Sequence, residues 1–381
     1  MSTNESVTFT MRLLQKIEQQ ILSCQNNDTR LVLFARKAGA LARQSYLAEA
    51  QALVNELRSK NIDFDPQLTG WILLAEGLIQ HFANLDNTKA KDKFNRAYIV
   101  SQMANERELA GTCAAWVAHC ELVSGQIGAA GTHILKAFEW SDEEEGEARA
   151  RGSMVIADAF NAVENLESAR HWFRRARKHA VREGDIAMQN VMLFNIAAYG
   201  VAHLTLDDCL SKFSVADAKR IAMEVASAAN LNAALGIESL ASLMPIMQAE
   251  LLVVQQKWVE AKSIFNQHLP AFASEGQRRL LPKIIAQRAW CNANIGDFDS
   301  ARSDMAASLD IVKDCIDQDD LAVLHFRLSC VAAQLENETA KAHHRTIAEE
   351  HLVRFRAHQE EINSMVQSVI AKIDPETKNP A

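Results

Sequence analysis

The chain has 381 residues, 48% of them apolar, and a formal net charge of −8. Its 14 glycines and 6 prolines make up about 5% of the residues, where an average chain carries roughly 12%. Strands and tight turns draw on those residues more than helices do. The composition therefore excludes a disordered chain and a strand-rich fold and predicts an all-α protein, large enough for several domains or one repeat array.

In chain order, residues 7–24 read as one amphipathic helix, with Val7, Met11, Leu14, Ile17 and Ile21 on a stripe. It is expected to cap the array as part of an N-terminal segment, 1–29. From residue 30 to 340 the sequence repeats. Segments 50–57 (AQALVNEL), 90–97 (AKDKFNRA), 130–137 (AGTHILKA), 169–176 (ARHWFRRA), 261–268 (AKSIFNQH), 301–308 (ARSDMAAS) and, weakly, 342–349 (AHHRTIAE) share one pattern. A small residue leads, a bulky one usually follows four later, and another small one usually follows three after that. The leading alanines recur at intervals close to 40 residues. The longer gap between Ala169 and Ala261 fits one degenerate unit near Ala216 or Ala218. About twelve positions before each leader lies another small residue: Ala38, Ala75 (three further away), Ala118, Ala157, Ala249, Ala289 and Cys330. Turn-like pieces such as Gly125-Gln126, Glu164-Asn165, Gly296-Asp297 and Glu336-Asn337 separate the two. Each unit is thus a helical hairpin whose apolar face is buried only by stacking on its neighbours.

After the repeats, residues 340–373 predict one long helix, with Ile347, Leu352, Phe355, Ile362, Val366 and Val369 near coiled-coil spacing. A helix of that length spans about 50 Å, more than one hairpin can cover. The helix can fold back as a cap on the last unit, the default for a terminal repeat helix, but its distal part, Ile362 to Ile370, is expected to project and to pair with a second chain, giving a possible homodimer, or with another partner. Residues 374–381 (DPETKNPA) read as a short disordered tail.

The hairpin pattern resembles the tetratricopeptide repeat (TPR). The match is best at Ala157, Phe160, Asn165, Ala169, Phe173 and Ala176, and next best at Trp71, Leu74, Ala75, Leu78, Ala90, Phe94 and Ala97. The period is longer than the usual 34 residues, and the closing proline of the motif is missing. Such long-unit arrays are similar to sensor regions of bacterial signalling proteins, among them TPR-containing diguanylate cyclases and transcription regulators. The resemblance implies a right-handed solenoid of about eight stacked hairpins over 30–340, followed by the long helix 341–373. It also implies a sensor half without an output domain.

No phosphate-binding, dinucleotide, zinc-protease, hydrolase or kinase motif is present, so no catalytic residue, cofactor or metal is assigned. Seven scattered cysteines without a CxxC pair read as reduced thiols, and Cys113 and Cys120 as buried packing. His344, His351 and His358 recur every seven residues beside His343. That spacing suits a solvated helix face better than chelation within one helix, and leaves open an intermolecular or pH-sensitive seam. The basic run from Arg170 to Arg182 is expected to pair with the acidic turn 142–145. No run of about 18 apolar residues is present, nor a basic head with an apolar run at the start. A cytoplasmic protein with neither membrane nor nucleic acid as partner is expected, since pI is about 5.9.

In TPR-like arrays the first helix of each hairpin lines the inner groove. Projecting that arrangement places Glu76, His119, Asp158, Asn161, Trp290 and Asn294 on the groove, with Arg327 on the same face and Asn195 in the irregular fifth unit. Asn can both donate to and accept from a peptide backbone, and Trp anchors apolar side chains. The leading reading is a non-enzymatic scaffold that binds a protein or peptide in its concave groove, in bacterial signalling or regulation. The alternatives are a stand-alone sensor of a small molecule or signalling peptide acting on a separate effector, a structural homo-oligomer, and an enzyme with an unrecognised site.

Overall fold

In a computed structural model, residues 12–60, 65–84, 87–142, 146–235, 242–274 and 278–374 are described. Val7 and Met11 of the first stripe, Glu143 to Glu145 of the acidic turn and the tail after Asp374 lie outside them. The described residues hold 17 α-helices and no strand. Helix α1 (Arg12–Ser23) precedes eight hairpins. Their first and second helices are α2 (Asn27–Arg43) with α3 (Leu47–Ser59), α4 (Pro66–Asn84) with α5 (Asn87–Met103), α6 (Arg107–Val123) with α7 (Ile127–Trp140), and α8 (Gly146–Ala162) with α9 (Leu166–Glu183). There follow α10 (Ile186–Cys209) with α11 (Val215–Leu235), α12 (Leu243–Val254) with α13 (Trp258–Ser274), α14 (Leu281–Asn294) with α15 (Phe298–Asp310), and α16 (Gln318–Gln334) with α17 (Glu338–Ile373). The all-α solenoid of about eight hairpins is the fold.

The repeat drives the pairing through its small residues. Ala38 and Ala50, Ala249 and Ala261, and Ala289 and Ala301 are each buried together in one apolar cluster. The bulky residue four after the leader fills the space beside it: Val54, Phe94, Ile134, Phe173 and Phe265 are all buried. Phe94 stacks on Trp116 of the next hairpin, centroids 5.3 Å apart. Gly77 lets Phe94 in, because a Cβ there would stand 2.5 Å from its ring. In the fifth hairpin Ala218 is buried and Ala216 is not, so Ala218 is the degenerate leader. The weak last copy is corrected: Ala342 is exposed, and the buried pair is His344 and Ala348.

The turns are one recurring device. A residue with positive φ follows the first helix at Ser45, Gly125, Glu164, Ser211, Gln256, Gly296 and Glu336. The next N–H returns to the carbonyl five residues back, as from Gln126 to Glu121, Asn165 to Phe160, Asp297 to Asn292 and Asn337 to Ala332. This is the Schellman closure of a helix end. The same next residue often caps the second helix, since Asn165, Asp297 and Asn337 accept from the N–H of Ser168, Ser300 and Ala340.

The chain divides into two compact units. Unit 1 comprises residues 1–192, 234–239 and 361–381; unit 2 comprises 193–233 and 240–360. In unit 1 the apolar core runs from Leu31 through Trp71 and Trp116 to Ala137. In unit 2 one cluster joins Val201, Ala218 and Met247, and another joins Phe326, Ala348 and Phe355.

The distal part of α17 does not project. Ile362, Val366, Val369 and Ile370 are buried, and Met365 lies against Gly131 on α7, where a Cβ would come within 2.8 Å of it. The Asp374 carboxylate, just past the helix, pairs with Arg175 of α9. The stripe that suggested self-association is covered by its own unit, because α7 presents glycine where the helix must approach.

The turn geometry gives a test free of packing. A Cβ on Gly296 would meet nothing within 4 Å, and only its φ of +80° opposes one. Gly296→Ala should therefore cost about 1 kcal/mol, read from the denaturation midpoint. An unchanged midpoint would show that the left-handed turn is not required.

Candidate functional site

In unit 1 the first helices enclose a cavity of about 300 Å³. Ala35, Arg36, Gly39, Ala40 and Arg43 of α2, and Trp71, Leu74, Ala75 and Leu78 of α4, form its wall. Glu108 of α6, Glu147 of α8 and Asp185 complete the wall, and Leu13, Lys16, Ile17 and Gln20 of α1 cover it. The wall is apolar in α4 and mixes small or apolar residues with charged ones elsewhere. Arg36 donates to both oxygens of Glu108 at 2.6 and 3.3 Å and lies over the face of Trp71 at 4.7 Å. Arg43 lies between Glu147 at 2.9 Å and Asp185 at 3.0 Å. Burial opposes its charge, yet the two carboxylates more than offset that and hold its pKa above the ordinary value. Asp185 follows Gly184, which has a positive φ, and accepts from the N–H of Met188, so the closure of α9 aims this carboxylate.

Behind the wall, Arg151 of α8 is buried and stacks over Trp116 at 3.7 Å. Burial lowers its pKa to about 10, and repulsion from Arg43 adds to this against the pull of Asp185, Asp158 and Glu147. Cavity and backing thus share one set of charges, Arg43, Arg151, Glu147 and Asp185, beside the apolar wall of α4.

The residues projected onto the groove fall elsewhere. Glu76 turns toward second helices, accepting from Arg58 of α3 at 3.0 Å and Lys93 of α5 at 2.7 Å. His119 packs edge-on to His81 and Trp116. Asp158 and Asn161 are buried, Asp158 within the field of Arg151. In unit 2, Arg327 is buried and donates to Gln287 at 2.8 Å and to Asp208 at 2.6 Å. Trp290 packs edge-on against Trp258, and Asn294 donates to the carbonyl of Trp290 on its own helix. Asn195 is half-buried in α10. The α2 residues of the wall carry one signal visible in the sequence: Arg36, Gly39, Ala40 and Arg43 follow one another at helical spacing in ARKAGALAR, a small-residue face edged by two cations.

Other sequence features resolve as structure. Burial pushes the Cys120 thiol up to about 12 and Cys113 well above its ordinary value, so both are inert packing. Arg175 of the basic run pairs with Asp374. The acidic turn expected to meet that run lies mostly outside the described residues, and its described residue, Asp142, reaches Arg107 at 4.0 Å. No described group of three His, Cys, Asp or Glu can hold a metal. The histidine stripe is not a solvated face throughout. In unit 2, His325 of α16 stacks on His344 and His351 of α17, with centroids 5.2 and 5.9 Å away.

No family model matches the sequence, and no curated protein matches it. Among solved structures the chain is similar to one titled as a Rap protein complexed with competence and sporulation factor. The TM-score is 0.54 at 13% identity, over 91% of this chain and 99% of that one. At that identity the likeness establishes the fold, a TPR-like helical repeat. No helix among the described residues is long and apolar enough to cross a membrane.

The histidine stack gives a pH test. Burial, then repulsion by His344, His351 and His343, lowers the pKa of His325 from 6.5 to about 4. The unfolded chain then takes up protons that the stack refuses. Stability is complete above about pH 6.5 and is lost as pH falls toward about 4. Melting measured across that range should fall less steeply in His325→Phe than in the native chain. Parallel curves would contradict the stack.

Proposed function

We propose that the chain is a non-enzymatic helical-repeat scaffold that binds a peptide or protein segment on the inner face of unit 1, in bacterial signalling or regulation. The observation that carries this is the cavity between the first helices, where a tryptophan and leucine wall meets paired charges. Such a wall gives a peptide both an apolar anchor and groups that fix its orientation. The solved structure similar in fold is itself a complex with competence and sporulation factor, which supports a binding use of this one. Burial raises the thiol pKa of Cys113 and Cys120 and so leaves these two inactivated as nucleophiles. A volume of about 300 Å³ lies at the lower end of small-molecule sites and favours, as a second reading, a sensor whose ligand is a short peptide or small molecule acting on a separate effector.

Peptides selected from a displayed random library against the native chain test this directly. Their affinity should fall about tenfold or more in Arg36→Glu, the loss of one charge-assisted contact. The paired exchange Arg36→Glu with Glu108→Arg should recover the fold of the wall without recovering the same ligand preference. Selected peptides that bind Arg36→Glu as tightly as the native chain would place the binding surface elsewhere.

A further inference from the structure

Helix α1 lies where a ligand of this site would lie. Its Leu13, Leu14 and Ile17 are buried with Ala40 and against Leu41 of α2, and Leu13, Lys16, Ile17 and Gln20 cover the cavity. Lys16 reaches across to Glu183 at the end of α9, 2.8 Å away. The stem of Arg12 lies 3.0 to 3.2 Å from where a Cβ of Gly184 would stand. On the near side Glu18 accepts from Lys37 at 2.7 Å. The helix therefore bridges the first hairpin and the end of the fourth by a short apolar stripe and two exposed ion pairs.

That attachment is slight. Three buried apolar residues hold twelve, Leu22 is 86% exposed, and exposed ion pairs add little. The strongest charges beneath, Arg36 with Glu108 and Arg43 with Glu147 and Asp185, are paired with one another. The wall thus keeps its own pairings when the cover leaves. Residues 24–26 join α1 to α2, and Asn26 caps α2 through the Thr29 N–H. The inner helix consequently begins with its own cap and does not depend on α1 for its start.

We infer that α1 is a built-in occupant of the groove, displaced by a partner segment of the same chemistry: an amphipathic helix with an apolar stripe and a cation placed to meet Glu183. This rests on the peptide-binding reading above and names both the ligand class and its regulation. The site is closed at rest, and a partner helix binds only by outcompeting one already tethered, which lowers its apparent affinity by the fraction of chain that is open.

The probe is a fluorescein-labelled synthetic peptide of residues 10–25 of this chain. The receptor is the full chain carrying Leu14→Asp and Ile17→Asp, which frees the tethered helix. The peptide should bind this receptor about tenfold or more tightly than it binds the native chain. Adding Glu183→Lys to the receptor should weaken binding, and Lys16→Glu in the peptide should restore it. Equal affinity for native and released chains, or no binding to a released chain that keeps its helical spectrum, overturns the proposal. Should the released chain fail to fold, hydrogen exchange in the native chain decides: excess peptide should speed exchange in residues 14–23, and unchanged exchange overturns the proposal. A library-selected peptide that binds at the wall while exchange in 14–23 stays constant would leave the peptide-binding reading standing and sink this one.

Discussion

Two helices can pair closely only where neither carries bulk at the crossing, and this chain meets that condition with a pair of alanines in six of its eight hairpins. Ala50, Ala90, Ala130, Ala169, Ala261 and Ala301 are essentially without exposed surface, as are Ala38, Ala75, Ala118, Ala157, Ala249 and Ala289 opposite them. The close approach sets where the residue four later must go, and Phe94, Ile134 and Phe265 fill that space. It also fixes the turn, which has to reverse the chain within a few residues. Hence the left-handed residue and the five-residue return bond recur whether or not glycine is available. Because no hairpin buries its apolar face alone, stacking follows from the same alanines.

This part of the architecture was legible because it repeats. Period, hairpin count and several turn positions could be read by comparing copies, whereas the degenerate leader, open between Ala216 and Ala218 in the sequence, was decided by burial. The long last helix was legible in extent but not in placement. An apolar stripe says only that water must be left. It took Gly131, unremarkable in its own segment, to show that Met365 and its neighbours fold back onto α7.

The site was less legible for the same physical reason. Inner-face residues differ from hairpin to hairpin, since a ligand or an ion pair needs different groups at each step. A projection from one register does not report that Glu76 of α4 pairs with Lys93 of α5, or that Arg327 pairs with Asp208. Charge pairing across hairpins is set in three dimensions: Arg43 meets Glu147 and Asp185, more than a hundred residues away. Unit 2 uses the same principle, with Lys283 of α14 held between Glu250 of α12 at 3.1 Å and Asp320 of α16 at 2.9 Å. Breaking such a buried set by removing one member leaves uncompensated charge, so these pairs tie first helices of different hairpins together within each unit.

The two halves of the account meet in unit 1, where alanine-driven pairing brings the first helices together and leaves a charged, tryptophan-edged cavity on their inner side. Amide-exchange footprinting of the native chain with a selected peptide tests that conjunction most directly. The account predicts slowed exchange in residues 35–43, 71–78 and 146–150, the segments that line the cavity. Protection confined to second helices such as α3, α5 and α7, with those segments unchanged, would contradict it.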